Sequence, residues 1–188
     1  AAKPAAVLKW AWPLEDGMRQ QITPLIHDGV MFLTTNMTNT VQALDARTGD
    51  LLWEHRLGPI GTAGQNATRT MAMYGNLLFY PATDATLYAL DARTGNIVWK
   101  TRPSEFPDDK IGGIMMAKDK LLVGLTRCNE LDARDHCFIA GYEASTGKQL
   151  WKFYTVARKG MPGGDTWGNL TDDQRSGADA WIAGTYDP

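Results

Sequence analysis

The sequence is poor in the residue types that usually signal metal or nucleophilic chemistry. Its 188 residues include two cysteines and three histidines, and the histidines lack metal-ligand spacing. No apolar run approaches the roughly 18 residues of a transmembrane helix. The 19 Lys and Arg nearly balance the 21 Asp and Glu, which argues against a nucleic-acid partner. Residues 1–6 lack the apolar stretch of an intact signal peptide.

What the chain has instead is an internal repeat. ALDARTGDLLW, ALDARTGNIVW and GYEASTGKQLW occupy residues 43–53, 89–99 and 141–151, so their tryptophans lie 46 and 52 residues apart. In each copy a Thr-Gly turn joins apolar runs of strand length. We interpret Asp45 and Asp91 as turn residues rather than catalytic groups. A period of about 45 with about four strands per unit predicts an all-β fold of propeller blades, with each repeat tryptophan packed between blades.

The third unit contains an additional polar segment, and the two cysteines flank it. Cys128 and Cys137 lie between two strand-like runs, where a hairpin loop would bring its ends together. We therefore predict a disulfide, which would stabilise the fold by about 2–3 kcal/mol. Two free thiols in a reducing compartment are the alternative. A metal site that includes His136 is disfavoured, because the sequence does not supply four ligands there.

The repeat stops after Trp151. Residues 157–180 are polar and rich in glycine and have no period, and long loops of this kind in compact domains usually carry function or are disordered. Two tryptophans, Trp167 and Trp181, argue against disorder. The apolar stretch WIAGTY predicts a strand that begins at Trp181.

These motifs resemble a known family. The repeat ALDxxTGxxxW is similar to the tryptophan-docking repeats of the pyrroloquinoline quinone (PQQ)-dependent alcohol dehydrogenases, and QQITPLIHDGVMFLTT at 20–35 resembles their first blade. Residues 137–168 and 177–188 resemble the same enzymes more specifically. The family fold is a propeller of eight four-stranded antiparallel blades. The resemblance implies that residues 1–188 form about three to four of these blades, with repeats at about 22–56, 70–102 and 112–156 and a long active-site loop at 157–181.

The resemblance also implies an activity. We expect the N-terminal part of a periplasmic enzyme that oxidises a small alcohol by hydride transfer to PQQ, aided by a calcium or lanthanide ion. Its expected partners are the remainder of the propeller and a cytochrome c that accepts electrons, and this chain alone is expected to be inactive. The alternative is a scaffold propeller with the same repeats and no cofactor. The loop at 157–181 favours the enzyme, since scaffold propellers need only short loops between blades.

Four residues match cofactor-binding positions of the family. Trp181 matches a tryptophan that forms the floor of the PQQ site, and its alternative is a core residue. Arg69 matches an arginine that contacts PQQ oxygens, and its alternative is a solvated surface residue. Asp179 stands where the family often has a threonine that contacts PQQ. Gln21 replaces a glutamate, and its amide could still bond to PQQ.

The sequence also departs from the family pattern. An adjacent pair of cysteines would fall near Ala63 and Gly64 and is absent. The glutamate that binds the metal would fall near Asn129 or Glu130. A threonine expected before the third blade is replaced near Ile111. The catalytic aspartate and the other metal ligands are expected beyond residue 188, so no residue of this chain is assigned as catalytic.

Overall fold

β-Strands dominate the described part of the chain, which comprises residues 7–14, 21–35, 38–58, 69–106, 109–128 and 136–187 of a computed structural model. The strands are β1 (Leu25–His27), β2 (Val30–Thr35), β3 (Thr40–Asp45), β4 (Leu51–Arg56), β5 (Ala72–Tyr74), β6 (Leu77–Pro81), β7 (Leu87–Asp91), β8 (Ile97–Thr101), β9 (Lys110–Ala117), β10 (Lys120–Thr126), β11 (Phe138–Glu143) and β12 (Gln149–Tyr154). Two short 3-10 helices follow, at Gly164–Trp167 and Asp172–Gln174. No helix among these residues is both long and apolar enough to span a bilayer.

The strands form three sheets of four, each built from consecutive strands. The hydrogen-bonded orders are β1-β2-β3-β4, β5-β6-β7-β8 and β9-β10-β11-β12, and every pairing is antiparallel. The prediction of an all-β fold of four-stranded antiparallel blades is confirmed. We call the three sheets blades 1, 2 and 3 in chain order.

Apolar side chains fill the two spaces between neighbouring blades. Phe32 and Val41 of blade 1 join Leu78 and Tyr80 of blade 2 in one buried cluster. A second cluster combines blade 2 with blade 3, and its members include Phe79, Leu87, Ile114, Leu121 and Tyr142. A single sheet cannot bury both of its faces, so each blade depends on its neighbours for its core.

Three tryptophans connect consecutive segments through one repeated contact. Each indole ring lies on the glycine of the Thr-Gly turn in the blade that follows it along the chain. The pairs are Trp10 with Gly49, Trp53 with Gly95, and Trp99 with Gly147. The glycine φ values in these turns are 81°, 73° and 72°, a region that side chains rarely adopt. A Cβ built at each glycine would come within 2.6–2.7 Å of the indole, so glycine is required for space as well as for conformation.

The same tryptophans donate their indole N–H to a backbone carbonyl three residues before that glycine. The Nε1–O distances are 3.2 Å for Trp10 to Ala46, 3.0 Å for Trp53 to Ala92 and 3.0 Å for Trp99 to Ala144. Trp53 and Trp99 are therefore equivalent, as predicted. Trp151 differs, because no described blade follows β12 and its side chain is 44% exposed. Trp10 makes the contact although it lies outside the repeated motif.

The turn carboxylates serve the backbone, as the sequence predicts. Asp45 Oδ1 accepts from the backbone N–H groups of Arg47 at 2.8 Å and Thr48 at 3.0 Å. These bonds lower the pKa of Asp45. Asp91 repeats the arrangement with Arg93 and Thr94. Both carboxylates hold the turns on which the tryptophans pack.

The prediction of a strand that begins at Trp181 is wrong. Residues 175–187 contain no strand. Among them, residues 178–184, which we call the Trp181 segment, lie against glycines at an irregular position of blade 3, and no regular ladder forms.

Replacing Trp99 with Ala tests the contact between blades. We expect the free energy of unfolding to fall by about 3–5 kcal/mol, because the change empties a partly buried site and removes the bond to Ala144. Equilibrium urea denaturation measures this loss. Trp151→Ala is the matched control and should cost much less, since that ring is exposed. Equal losses for the two variants would contradict the role given to Trp99.

Candidate cofactor site

The candidate site lies at one end of blade 3. Lys110, the first residue of β9, pairs with Thr126, the last residue of β10. Phe138, the first residue of β11, pairs with Tyr154 at the end of β12. Three segments therefore meet at the same end of blade 3: the segment before β9, the β10–β11 connection and the chain after β12.

Trp181 and Arg69 are in direct contact across a large distance in sequence. The Arg69 guanidinium carbon lies 4.9 Å from the centroid of the Trp181 ring, which is a cation–π arrangement. The Trp181 side chain is 46% exposed and Arg69 is partly buried. Two of the four residues that the resemblance assigned to PQQ binding are thus neighbours, and Trp181 is not a buried core residue.

Three glycines of blade 3 make room for the Trp181 segment. The register between β9 and β10 shifts so that Gly112 and Gly113 lie opposite Gly124. A Cβ at Gly112 or Gly124 would overlap the Ala180 carbonyl, and a Cβ at Gly113 would overlap the backbone of Ile182 and Ala183. Such a bulge, two residues against one, is a common way to reshape a sheet next to a site. Here it lets one backbone lie directly on another.

Backbone hydrogen bonds then fix the Trp181 segment. The Ala180 N–H donates to the Leu125 carbonyl at 3.0 Å, and the Gly113 N–H donates to the Ala180 carbonyl at 3.4 Å. The Thr155 hydroxyl donates to the Ala178 carbonyl at 2.7 Å. These bonds attach the segment to β9, to β10 and to the residue that follows β12.

Cys128 and Cys137 form the predicted disulfide, with their Cα atoms 5.2 Å apart. The carboxylate of Asp179 lies against it, with Oδ1 at 3.1 Å from Cys137 Sγ and 3.6 Å from Cys128 Sγ. The other oxygen, Oδ2, accepts from the Thr126 hydroxyl at 3.0 Å and from the Arg127 N–H at 3.3 Å. Asp179 therefore anchors the Trp181 segment to the end of β10.

The two sulfurs and the Asp179 carboxylate lie within 4.8 Å of one another, a spacing that could suit a metal ion. Thiolates rather than disulfide sulfurs are the metal ligands that cysteine provides. In the oxidised state this trio therefore has one metal ligand, the carboxylate, and it is an anchoring cluster.

Sequence reasoning missed a buried polar cluster at the same end of blade 3. The Asp109 carboxylate is 2% exposed; it accepts a short hydrogen bond from the Ser104 hydroxyl and lies 3.0 Å from His136 Nε2. The Phe106 ring packs on the His136 ring at 4.1 Å. The cluster joins the segment before β9 to the residue that precedes Cys137. The sequence does show two adjacent aspartates, Asp108 and Asp109, but it does not show which side chains they contact.

A lysine of β12 reinforces the same connection. Lys152 Nζ lies 4.0 Å from the centre of the Phe138 ring and donates to the Pro103 carbonyl at 3.4 Å. Partial burial lowers the pKa of Lys152.

The other positions that the sequence analysis named are not part of the contacts described above, or they lie outside the described residues. Gln21 is exposed in the segment before β1, and its role stays a prediction. Ile111 is a partly buried residue of β9 that packs on the cluster between blades 2 and 3. Asn129, Glu130 and the pair Ala63-Gly64 lie outside the described residues.

Comparisons with known proteins show what the chain as a whole is similar to. The family model described as "PQQ: Glucose/ethanol/alcohol dehydrogenase, beta-propeller domain" matches residues 8–188. The dehydrogenase subunit of a quinone alcohol dehydrogenase from Gluconobacter oxydans is 34% identical over 96% of this chain and 27% of its own length. The quinoprotein alcohol dehydrogenase PedH from Pseudomonas putida is 34% identical over 95% of this chain and 33% of its own length.

A solved structure is also similar. The quinohemoprotein alcohol dehydrogenase ADHIIG from Pseudomonas putida superposes with a TM-score of 0.77 and 29% identity, over 93% of this chain and 28% of that protein. The chain thus spans between a quarter and a third of the length of these relatives.

Gly124→Ala tests whether the Trp181 segment needs the glycine bulge. We expect a loss of about 1–3 kcal/mol in unfolding free energy, because the new methyl group would displace Ala180. Urea denaturation measures it. Gly184→Ala is the control, since a Cβ there would meet only the flexible Met115 side chain, at 3.2 Å from Sδ. A Gly124→Ala protein as stable as the parent would show that the close approach is unimportant.

Proposed function

Since this chain belongs to the PQQ-containing β-propeller family of glucose, ethanol and alcohol dehydrogenases, we propose that it forms part of an enzyme that oxidises an alcohol to an aldehyde or ketone. The observation that supports this most directly is the contact between Trp181 and Arg69. It combines a flat, half-exposed aromatic ring with a permanent positive charge that lies over the ring.

The residues present fit PQQ. The cofactor is planar, aromatic and carries three carboxylates, so it needs an apolar surface for its ring system and cations for its rim. Trp181 offers the surface, and the Arg69 guanidinium can hydrogen-bond two carboxylate oxygens at once. When bound, PQQ supplies a quinone carbonyl carbon that accepts the hydride of the alcohol.

The contributions of this chain are binding and orientation. Trp181 binds one face of the ring system and excludes water from it. Arg69 lowers the cost of bringing negative charge to a partly dry site. Asp179 and the glycine bulge hold the Trp181 backbone in place, which keeps the binding surface rigid. Gln21 adds an amide that can bond to PQQ.

A metal ion belongs to the proposal as well. Asn129 or Glu130 would supply one amide or carboxylate oxygen, the ligand type that calcium and lanthanide ions prefer. One ligand does not hold such an ion firmly, so further ligands would come from other parts of the enzyme. The catalytic base is assigned there too.

The partners follow from the names of the relatives. One is called a dehydrogenase subunit and another a quinohemoprotein. We therefore propose that the chain works within a larger propeller in the bacterial periplasm, that it acts on a small alcohol, and that a cytochrome c accepts the electrons. We do not expect these residues to be active by themselves, because they correspond to only a quarter to a third of the length of the relatives. The half-exposed Trp181–Arg69 pair favours the enzyme over a cofactor-free scaffold.

The test is a titration of PQQ into protein expressed from the complete reading frame, followed by tryptophan fluorescence. Trp181→Ala should weaken binding by about 10- to 100-fold, which corresponds to the loss of one stacked aromatic surface. Arg69→Ala should weaken it by a similar factor through loss of a charge-assisted bond. Trp167→Phe, in the same loop region, is the control and should bind normally. If Trp181→Ala binds PQQ and oxidises alcohols as well as the parent does, the assignment is wrong.

A further inference from the structure

The Trp181 segment is held by a side chain that also contacts a redox-active group. Asp179 lies two residues before Trp181, and both of its carboxylate oxygens face the end of β10 and the disulfide. Thr155 strengthens this connection, because its hydroxyl lies within hydrogen-bond distance of the Cys137 carbonyl at 3.1 Å and of the Ala178 carbonyl at 2.7 Å. The cysteine pair and the Trp181 segment thus share two sets of contacts.

We propose that Asp179 is a positioning residue that couples the redox state of the Cys128–Cys137 pair to the placement of the Trp181 ring. The proposal deepens the proposed function, on which it rests for its consequence for PQQ. The coupling itself concerns residues of this chain alone.

The two oxygens of Asp179 have different neighbours, and this difference creates the coupling. Oδ2 accepts from the Thr126 hydroxyl and the Arg127 backbone N–H, and neither donor group is part of the disulfide. Oδ1 faces two sulfur atoms that carry no hydrogen while they are bonded to each other. A carboxylate oxygen in a partly buried place is most stable when it accepts hydrogen bonds. In the oxidised state the sulfur atoms supply none.

Reduction supplies those donors. A dithiol reductant delivers two electrons and two protons, the S–S bond breaks, two thiols form, and the reductant becomes its own disulfide. The two sulfurs move apart when the bond breaks, and each thiol can then donate to Oδ1, since the sulfurs lie 3.1 and 3.6 Å from it in the disulfide. Asp179 therefore stabilises the dithiol relative to the disulfide. By thermodynamic linkage, the redox state of the cysteine pair in turn affects the hydrogen bonds, and so the preferred position, of the Asp179 carboxylate.

The change reaches Trp181 along a short path. Ala180 follows Asp179 and is hydrogen-bonded to Leu125 and Gly113, so movement of Asp179 acts on the backbone that carries the indole. The ring itself contacts Arg69. A shift of the segment would therefore alter the Trp181–Arg69 contact.

Two substitutions separate the two roles of Asp179. In Asp179→Asn, the amide oxygen can still accept from Thr126 and Arg127, but the amide group then presents N–H to the sulfurs and cannot accept from thiols. We expect the anchor to remain and the pair to become about tenfold harder to reduce. Asp179→Ala removes the anchor and the coupling together. Asp165→Asn, an exposed residue of the same loop region, is the matched control.

The experiment uses protein from the complete reading frame, labelled with fluorotryptophan and observed by fluorine NMR, with Trp181→Phe to assign the signal. Dithiothreitol should shift the Trp181 signal in the parent and in Asp165→Asn, while the other tryptophan signals stay in place. In Asp179→Ala the Trp181 signal should start from a shifted position and respond little to reduction. The thiol–disulfide equilibrium with dithiothreitol, measured by alkylation and mass spectrometry, should move tenfold in Asp179→Asn.

Two results would overturn the proposal. One is a parent Trp181 signal that ignores reduction, or that responds equally in Asp179→Ala. The other is an unchanged thiol–disulfide equilibrium in Asp179→Asn, a measurement that remains decisive if Asp179→Ala fails to fold. Both readouts work without PQQ, so a failure of PQQ to bind would count against the proposed function and leave the coupling to be judged on its own signals. If PQQ binds, its affinity should fall on reduction of the parent.

Discussion

The contact of an indole ring with a turn glycine organises the whole structure. It needs a left-handed backbone conformation, an absent side chain and a carbonyl acceptor. A short motif of an acidic residue, alanine and Thr-Gly provides all three at Gly49, Gly95 and Gly147. Because the ring and the turn belong to consecutive units, each contact both finishes one blade and positions the next. The apolar clusters between blades can form only when this spacing is kept.

Much of this architecture could be predicted from the sequence, because the repeat carries it. The turns, the strand runs and the equivalence of Trp53 and Trp99 are local patterns repeated in register. Trp10 was missed, since it makes the same contact without the flanking motif. The prediction of a strand at Trp181 was wrong because an apolar run does not by itself specify a hydrogen-bonding partner strand. Instead, the glycines at the bulge of blade 3 make room for the backbone of that segment to lie directly against the sheet.

The candidate site, too, could be predicted from the sequence only in part. Trp181 and Arg69 were found through resemblance. Their contact could not be predicted from their spacing, since the whole of blades 2 and 3 lies between them in the sequence. The disulfide followed from a loop between two strands. The Asp109 cluster could not be found from sequence, because its partners lie on different segments and each residue alone is ordinary. Polar contacts across a sheet edge depend on register, which composition does not encode.

The repeated tryptophan contact has a direction, and direction has a geometrical consequence. Every ring points forward along the chain, from Trp10 to Trp53 to Trp99, so each unit has a head that carries an indole and a tail that carries a glycine. Head-to-tail addition of equal units generates a closed circle when the rotation per step divides a full turn, and an open spiral when it does not. The distance between neighbouring blades at this contact equals the thickness of one indole ring packed on a glycine Cα, and it therefore helps to set the curvature of the row of blades. A bulkier turn residue would alter the angle between neighbouring blades as well as their stability.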